Sequence, residues 1–132
     1  MNPEYWMAHF RYEPPPQGMP TAFGIVTACN PGGSIAPEFA NEAADQALAA
    51  RIDASGWQKF RVIGGSEDFS HAEPGWGVVA SGGLAALLVL GREFHQVAIY
   101  WVAEDQIFLC DCSPGSSPVL IARWEDRARV RS

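Results

Sequence analysis

Apolar residues recur along the chain with two different periods, and the changes of period mark the predicted secondary structure. Short apolar runs that are rich in β-branched residues, or that alternate with polar residues, predict β-strands. Apolar positions spaced three or four residues apart predict amphipathic helices. The resulting order is β-α-β-β-α-β-β, with strands at residues 22–28, 59–63, 76–80, 95–102 and 106–110 and helices at residues 37–52 and 84–94.

The first predicted helix is rich in alanine. Its apolar residues recur at helical spacing and polar residues fill the opposite arc, as is typical of a helix that packs one face against a core. Ser34 is the candidate N-cap, and Glu38 lies in the first turn. The apolar face consists of Phe39, Ala43, Ala47 and Ala50, and the polar arc consists of Asn41, Glu42, Asp45 and Gln46.

The order of elements predicts an α+β fold. The simplest known arrangement of the initial six elements is the ferredoxin-like split βαβ (β-α-β-β-α-β), in which two helices cover one face of a mainly antiparallel sheet. The last hairpin then appends a fifth strand. Three successive prolines at residues 14–16 favour an extended N-terminal arm over residues 1–19, because proline fixes φ and lacks a backbone donor. Arginines near the end predict a basic tail over residues 123–132, which leaves residues 20–122 as a single α/β domain.

Composition and charge exclude several classes of function. The chain has 132 residues, with 9 Lys and Arg against 15 Asp and Glu, and a net charge of -6. We expect no binding to nucleic acid or to anionic membranes, because such binding depends on basic side chains that neutralise phosphates. The N-terminus lacks the basic region of a signal peptide, and the longest aliphatic run, residues 84–90, is too short to span a bilayer. We therefore expect a cytoplasmic protein whose three cysteines are reduced.

Three loops of the predicted fold meet at one end of the sheet. Right-handed βαβ crossovers place the first and second strands parallel, with the third and fourth strands antiparallel to them. The loop from the first strand to the first helix then lies beside the loop at residues 64–75 and the link at residues 94–96. The polar residues that we expect to cluster there are Asn30, Ser34, His71, Glu73, His95 and Gln96.

Short motifs in and near these loops resemble a known family. They are Thr27-Ala28-Cys29-Asn30-Pro31, the pair Asn41-Glu42 in the first helix, Glu73-Pro74, and Gln96-Val97-Ala98 before an aromatic strand. On these motifs the chain resembles the bacterial DUF3293 family, over roughly residues 20–111. The resemblance implies no activity, and it supports the candidate positions Asn30, Asn41, Glu73 and Gln96. The chain departs from the family pattern at Cys29, where members often have an aromatic residue, which weakens any inference about a shared ligand.

The sequence Asn-Pro-Gly-Gly-Ser at residues 30–34 is a candidate ligand-binding turn. Backbone N–H groups at such a turn and at a helix N-terminus can bind an anion or a polar group, which makes Gly32, Gly33 and Ser34 candidate ligand residues. A plain turn followed by a helix cap explains the same residues. The second explanation is favoured, because the chain lacks the lysine and the spacing of a nucleotide-binding loop.

His71 and Glu73 are the candidate catalytic residues. Residues two apart point the same way in extended backbone, so the carboxylate could orient the imidazole as a general base, or Glu73 could act alone. The alternative is a carboxylate that caps backbone amides of its own loop. The side-chain amides of Asn30, Asn41 and Gln96 either read a polar ligand or lock the loops together, and locking is favoured because loop backbones need hydrogen-bond partners.

Two classes of function remain, and the sequence leaves open whether the protein is an enzyme. Cofactors and metals are not expected, because Cys110 and Cys112 do not have the spacing of zinc ligands. The first class is a domain that binds a small polar or anionic ligand, with weak hydrolysis as an option, at residues 29–34, 64–75 and 94–96. The alternative is a noncatalytic interaction module with an acidic surface, which docks a basic protein partner or forms a homodimer through the N-terminal arm or the sheet. Its expected exposed aromatic residues are Tyr5, Trp6 and Phe10. A concave pocket with converging polar groups distinguishes the first class, and a flat or apolar surface distinguishes the second.

Overall fold

The computed structural model describes residues 1–131, which form one mixed sheet of eight strands and three α-helices. Two short 3-10 helices lie at Pro3–Met7, before the first strand, and at Pro31–Gly33, between the second strand and the first α-helix. The strands are β1 (His9–Tyr12), β2 (Ala22–Thr27), β3 (Gln58–Gly65), β4 (Ala72–Val79), β5 (Ala98–Ala103), β6 (Gln106–Asp111), β7 (Val119–Arg123) and β8 (Ala128–Val130). The helices are α1 (Glu38–Ala54), α2 (Gly83–Glu93) and α3 (Trp124–Arg127).

The predicted five-stranded ferredoxin-like sheet is wrong. The strand order is β7-β6-β5-β2-β4-β3-β1-β8, and all neighbouring strands pair antiparallel except β1 and β8, which pair parallel. β1, β7 and β8 are the additional strands, and two of them come from segments that the sequence assigns to an arm and a tail. Strands of three to five residues carry little periodic signal of their own, because such strands are specified by the neighbours with which they pair.

The sheet is strongly curled into a half-barrel. β7 and β8 are the two edges of the sheet, yet only the four residues of α3 separate them in the chain. The edges must therefore approach each other, which requires the curl. The concave side is filled by an aromatic core in which the Trp124 ring lies 5.7 Å from Phe10 and 5.3 Å from Phe23 between ring centroids.

Helices α1 and α2 pack against the convex side of the sheet. Leu48 and Ile52 of α1, and Leu87 and Leu90 of α2, are buried together with Val26 of β2. Gly24 of β2 permits this approach, because a Cβ at that position would clash with a Leu87 methyl carbon. This side of the sheet therefore forms a second core, separate from the aromatic core.

The face of α1 that packs on the sheet is not the predicted one. Phe39 is 75% exposed, and Ala43, Ala47 and Ala50 are exposed as well. The buried face is instead centred on Leu48 and Ile52, which lie four residues apart. An ion pair fastens this face, since the Arg61 guanidinium donates to both carboxylate oxygens of Asp45 at 3.1 and 3.0 Å. The prediction failed because the high helix propensity of alanine also favours it on exposed helix faces, so a stripe of alanines does not identify the buried face.

Candidate functional site

A network of side-chain amides joins the loop after β2 to α1 and β4. The Asn30 Nδ2 group donates to Glu73 Oε1 at 2.8 Å, and the Asn30 Oδ1 atom accepts from the Ala36 backbone at 2.9 Å. Asn41 completes the network, because its Nδ2 group donates to Asn30 Oδ1 at 3.0 Å and its Oδ1 atom accepts from the Asn30 backbone at 2.9 Å. Asn30, Asn41 and Glu73, three of the predicted site residues, are thus in direct contact.

Local geometry explains why asparagine stands at the centre of this network. Asn30 has φ 48° and ψ 61°, a left-handed conformation that asparagine adopts more readily than most other residues with a side chain. Pro31 starts the short 3-10 turn that follows, because its missing backbone donor is not needed there. The turn and the side chain of Asn30 together direct the chain toward α1.

The backbone donors of the turn are already used within the protein. Gly32 donates to the His95 carbonyl at 2.7 Å, Gly33 donates to the Asn30 carbonyl at 2.9 Å, and Ser34 donates to the Pro31 carbonyl at 3.4 Å. Ser34 is exposed and does not cap α1, whose N-cap position is Pro37. The three predicted ligand residues therefore form a hydrogen-bonded turn, and their N–H groups are not directed at an open anion site.

Glu73 lies at the edge of the concave core. Its cross-strand neighbour is Gly64, whose side-chain position faces Phe10, so Glu73 is on the concave face. Burial and then the Glu73 carboxylate raise the pKa of Tyr5, and burial, the Tyr5 phenol and Glu73 raise the pKa of Tyr100. Within residues 1–131 the second oxygen of Glu73 accepts no hydrogen bond and is not buried. One carboxylate oxygen thus remains accessible at the edge of the concave face, a feature that no motif in the sequence indicates.

Gln96 connects the third loop to the same end of the sheet. Its Nε2 group donates to the Cys29 carbonyl at 3.2 Å and to the Phe94 carbonyl at 3.1 Å. The thiol of Cys29 is buried, which raises its pKa, and it contacts the Pro74 carbonyl at 3.7 Å. Gln96 is therefore linked to the amide network through Cys29, which directly precedes Asn30. Its side-chain amide donates to backbone carbonyls of the protein.

His71 lies apart from the network. The residue is exposed, and its backbone N–H donates to Ser66 Oγ at 3.2 Å while its carbonyl accepts from the Ser66 backbone at 2.9 Å. Among the described residues, His71 and Glu73 share no hydrogen bond. The predicted imidazole–carboxylate pair is thus not present in this geometry.

Apolar side chains are exposed beside the network. Ile35, in the loop before α1, is 89% exposed, and Phe39 in the first turn of α1 is 75% exposed. Ala43, Ala47 and Ala50 continue the exposed face along the helix. The signal that could have identified this face is the spacing of Leu48 and Ile52, the two large aliphatic residues of α1, on the opposite side.

Two surface cavities lie away from the amide network. One, of about 320 Å³, is lined by Leu84, Trp101 and Phe108 on the convex side of the sheet. The other, of about 460 Å³, lies between residues 14–17 and the start of β3, next to Trp76. The Arg61 guanidinium lies 3.7 Å from the Trp76 ring centroid, so one face of this ring is already covered.

Neither a metal cluster nor a membrane helix is found in the described part of the chain. Across residues 1–131, no group of three His, Cys, Asp or Glu side chains is placed to hold a metal ion. Of the helices within the same residues, none has the length and apolar character needed to cross a bilayer.

Comparison with known proteins identifies the family. The chain matches the model of a protein family of unknown function, DUF3293, over residues 26–99. The comparisons with curated proteins and with solved structures give no match. The matched segment is more than half of the chain and contains every residue of the amide network, together with Gln96 and the whole of α1. The chain therefore belongs to the DUF3293 family of proteins of unknown function.

Proposed function

We propose that this protein is a noncatalytic interaction module that docks a protein partner on the docking face, defined as Ile35 together with Phe39, Ala43, Ala47 and Ala50. The observation that carries the proposal is the exposure of this apolar face, with Ile35 and Phe39 at 89% and 75%. Large apolar side chains that are contiguous and exposed are typical of binding surfaces. A single exposed leucine or valine would not support the same conclusion.

The amide network supports this role, because it fixes the loop that presents Ile35. The Asn30 side chain binds the Ala36 backbone, one residue after Ile35, and Asn41 reaches the Ala36 carbonyl at 3.4 Å from within α1. An apolar residue held on a rigid loop loses little conformational entropy on binding, which favours affinity. The polar residues of the site thus act as a frame for the docking face.

A small polar ligand is the second candidate, and Glu73 is the observation that favours it. The accessible oxygen of this carboxylate could accept from a ligand donor at the edge of the concave face. An anionic ligand is disfavoured by the same negative charge and by the engaged donors of Gly32 and Gly33. Weak hydrolysis would require Glu73 alone as the base, without His71.

A cytoplasmic setting is part of the proposal. The cysteines Cys29, Cys110 and Cys112 are free and buried, and burial raises the pKa of Cys110 to about 11 and of Cys112 to about 11. Buried thiols with a raised pKa react slowly, because the thiolate is the reactive form. With all three cysteines free, the fold does not depend on a disulfide for its stability. A reducing compartment suits them.

Selection from a peptide library tests the interaction function. Random 18-residue peptides displayed on phage are selected on the immobilised full chain, and selected peptides are synthesised and titrated by fluorescence anisotropy. We expect Phe39→Ser to weaken binding at least about tenfold, because loss of a buried aromatic anchor at an interface costs about 2 kcal/mol or more. Val89→Ser is the matched control, since Val89 is 57% exposed on α2, outside the docking face.

Two results separate the candidate functions. Selected peptides that bind Phe39→Ser as tightly as the natural protein would contradict a docking role for this face. The small-ligand candidate is tested by thermal shift across a metabolite set, with Glu73→Gln as the variant. The small-ligand candidate fails if no compound raises the midpoint of thermal unfolding of the natural protein more than that of Glu73→Gln.

A further inference from the structure

The docking face has an acidic border on one side. On a helical projection of α1, Phe39, Ala43 and Ala50 fall within about 40° of one another, and Glu42 lies about 60° from Phe39. Glu38 is one turn before Glu42 on the same border. Both glutamates are exposed, and within residues 1–131 neither forms a salt bridge. The apolar strip is therefore edged by two carboxylates that the protein itself leaves unneutralised.

The nearby basic side chains are engaged elsewhere. Arg61 pairs with Asp45 at 3.0 Å, Lys59 pairs with Asp53 at 2.6 Å, and Arg51 pairs with Glu93 at 3.0 Å. The helix dipole favours Glu38, which lies in the first turn, but this effect fades beyond that turn and does not account for Glu42. Two like charges four residues apart repel each other slightly, and a basic partner would remove that cost.

The shape of the strip suits a helix. From Phe39 to Ala50 it runs about 17 Å along α1, and after Phe39 its centre carries only alanine and Gln46. Small side chains let a second helix approach closely, so that its larger apolar residues can pack between them. Phe39 then supplies the large side chain at one end of the contact.

A second copy of the chain is a poor occupant for this strip. In an antiparallel two-fold pair of helices, the same border of each helix meets its counterpart, because such interfaces are self-complementary. Glu42 would then face the acidic border of the other copy, and each copy has a net charge of -6. Like charges placed together at an interface oppose association.

We infer that the docking face binds a positively charged amphipathic helix, whose apolar stripe packs along α1 and whose Lys or Arg side chains pair with Glu38 and Glu42. The inference rests on the proposed interaction function and names the chemistry of the partner. The recognition mode is that of a helix whose anchors recur at positions i, i+3, i+4 and i+7. Specificity would come from the acidic border, which rejects helices with acidic flanks.

The phage-displayed 18-residue library again supplies the probes, and only synthetic peptides whose binding depends on Phe39 are used. We expect these peptides to carry a net positive charge and to gain helical circular dichroism when they bind. Glu42→Lys should weaken their binding about fivefold or more, and 0.5 M NaCl should weaken it in the same direction. Asp126→Lys is the matched control, because it changes the net charge equally at an exposed position on α3.

Other outcomes would contradict either the basic-helix inference or the interaction function. Phe39-dependent peptides that are neutral, acidic or extended, or that bind Glu42→Lys and the natural protein equally, would overturn the basic-helix inference and leave the interaction function standing. If Glu42→Lys and Asp126→Lys weaken peptide binding equally, the effect is one of net charge and not of the acidic border. This result would also overturn the basic-helix inference. A dimer that sedimentation equilibrium detects and Phe39→Ser dissociates would make a second copy the occupant. A library without Phe39-dependent binders would overturn the interaction function itself.

Discussion

Asn30 shows how one residue can hold a surface in place. Its side chain contacts β4 through Glu73, the pre-helix loop through Ala36 and α1 through Asn41. Aspartate could not replace it without loss, because the Nδ2 donor to the Glu73 carboxylate would become a second negative charge. The requirement for asparagine thus arises from both the donor and the left-handed backbone.

Substitution of Asn30 separates these two contributions. Asn30→Gly should lower the free energy of unfolding by roughly 2 kcal/mol, because three partly buried hydrogen bonds are lost. Asn30→Ala should lower it by about 1 kcal/mol more, since alanine also resists the left-handed conformation. Urea denaturation measures both values. Asn2→Ala, at an exposed 3-10 cap, serves as the control with an expected change of less than about 0.5 kcal/mol. Equal losses for the glycine and alanine variants would contradict the role of the backbone.

At the level of elements, periodicity was sufficient to predict β2 to β6 and the positions of α1 and α2, because each has its own apolar pattern. Periodicity misjudged the buried face of α1, where Phe39 and three alanines outnumber Leu48 and Ile52. Side-chain volume decides burial more than the count of apolar residues, because buried area scales with size. Asn30 and Glu73 are 43 residues apart in the sequence, so their hydrogen bond could be identified only from the tertiary structure.

The observed orientation of α1 and the orientation predicted from the alanine stripe give opposite expectations for two substitutions. Leu48→Ala should lower the free energy of unfolding by about 3 kcal/mol, because Leu48 is 0% exposed in the convex core. Ala47→Ser should change it by no more than about 0.5 kcal/mol, the difference in helix propensity, because Ala47 is exposed. Chemical denaturation with urea measures both. A larger loss for Ala47→Ser than for Leu48→Ala would restore the orientation predicted from the alanine stripe.

At the level of the whole molecule, both ends of the chain close the concave side. The Tyr100 hydroxyl donates to the Tyr5 carbonyl at 2.7 Å, and Arg127 donates to the Trp6 and Ala8 carbonyls at 3.1 and 3.0 Å. These bonds are to backbone acceptors, so the sequence around them carries no motif that would have revealed them. The helices α1 and α2 lie on the opposite, convex side, which is the side where the docking face is exposed.

Trp124 tests whether this closure stabilises the whole fold. Its ring packs against Phe10, Tyr12 and Phe23, which belong to strands from both halves of the sheet. Trp124→Ala should therefore lower the free energy of unfolding by about 3 kcal/mol, as for other large aromatic truncations in a core. Trp6→Ala is the matched control, since Trp6 is 40% exposed and should cost less than about 1 kcal/mol. Urea unfolding followed by far-ultraviolet circular dichroism measures both without relying on tryptophan fluorescence. If the two variants lose the same stability, the contacts of Trp124 do not stabilise the half-barrel and residues 123–131 are an appended segment. A core that α3 completes should lose more stability than a surface site when the Trp124 ring is removed.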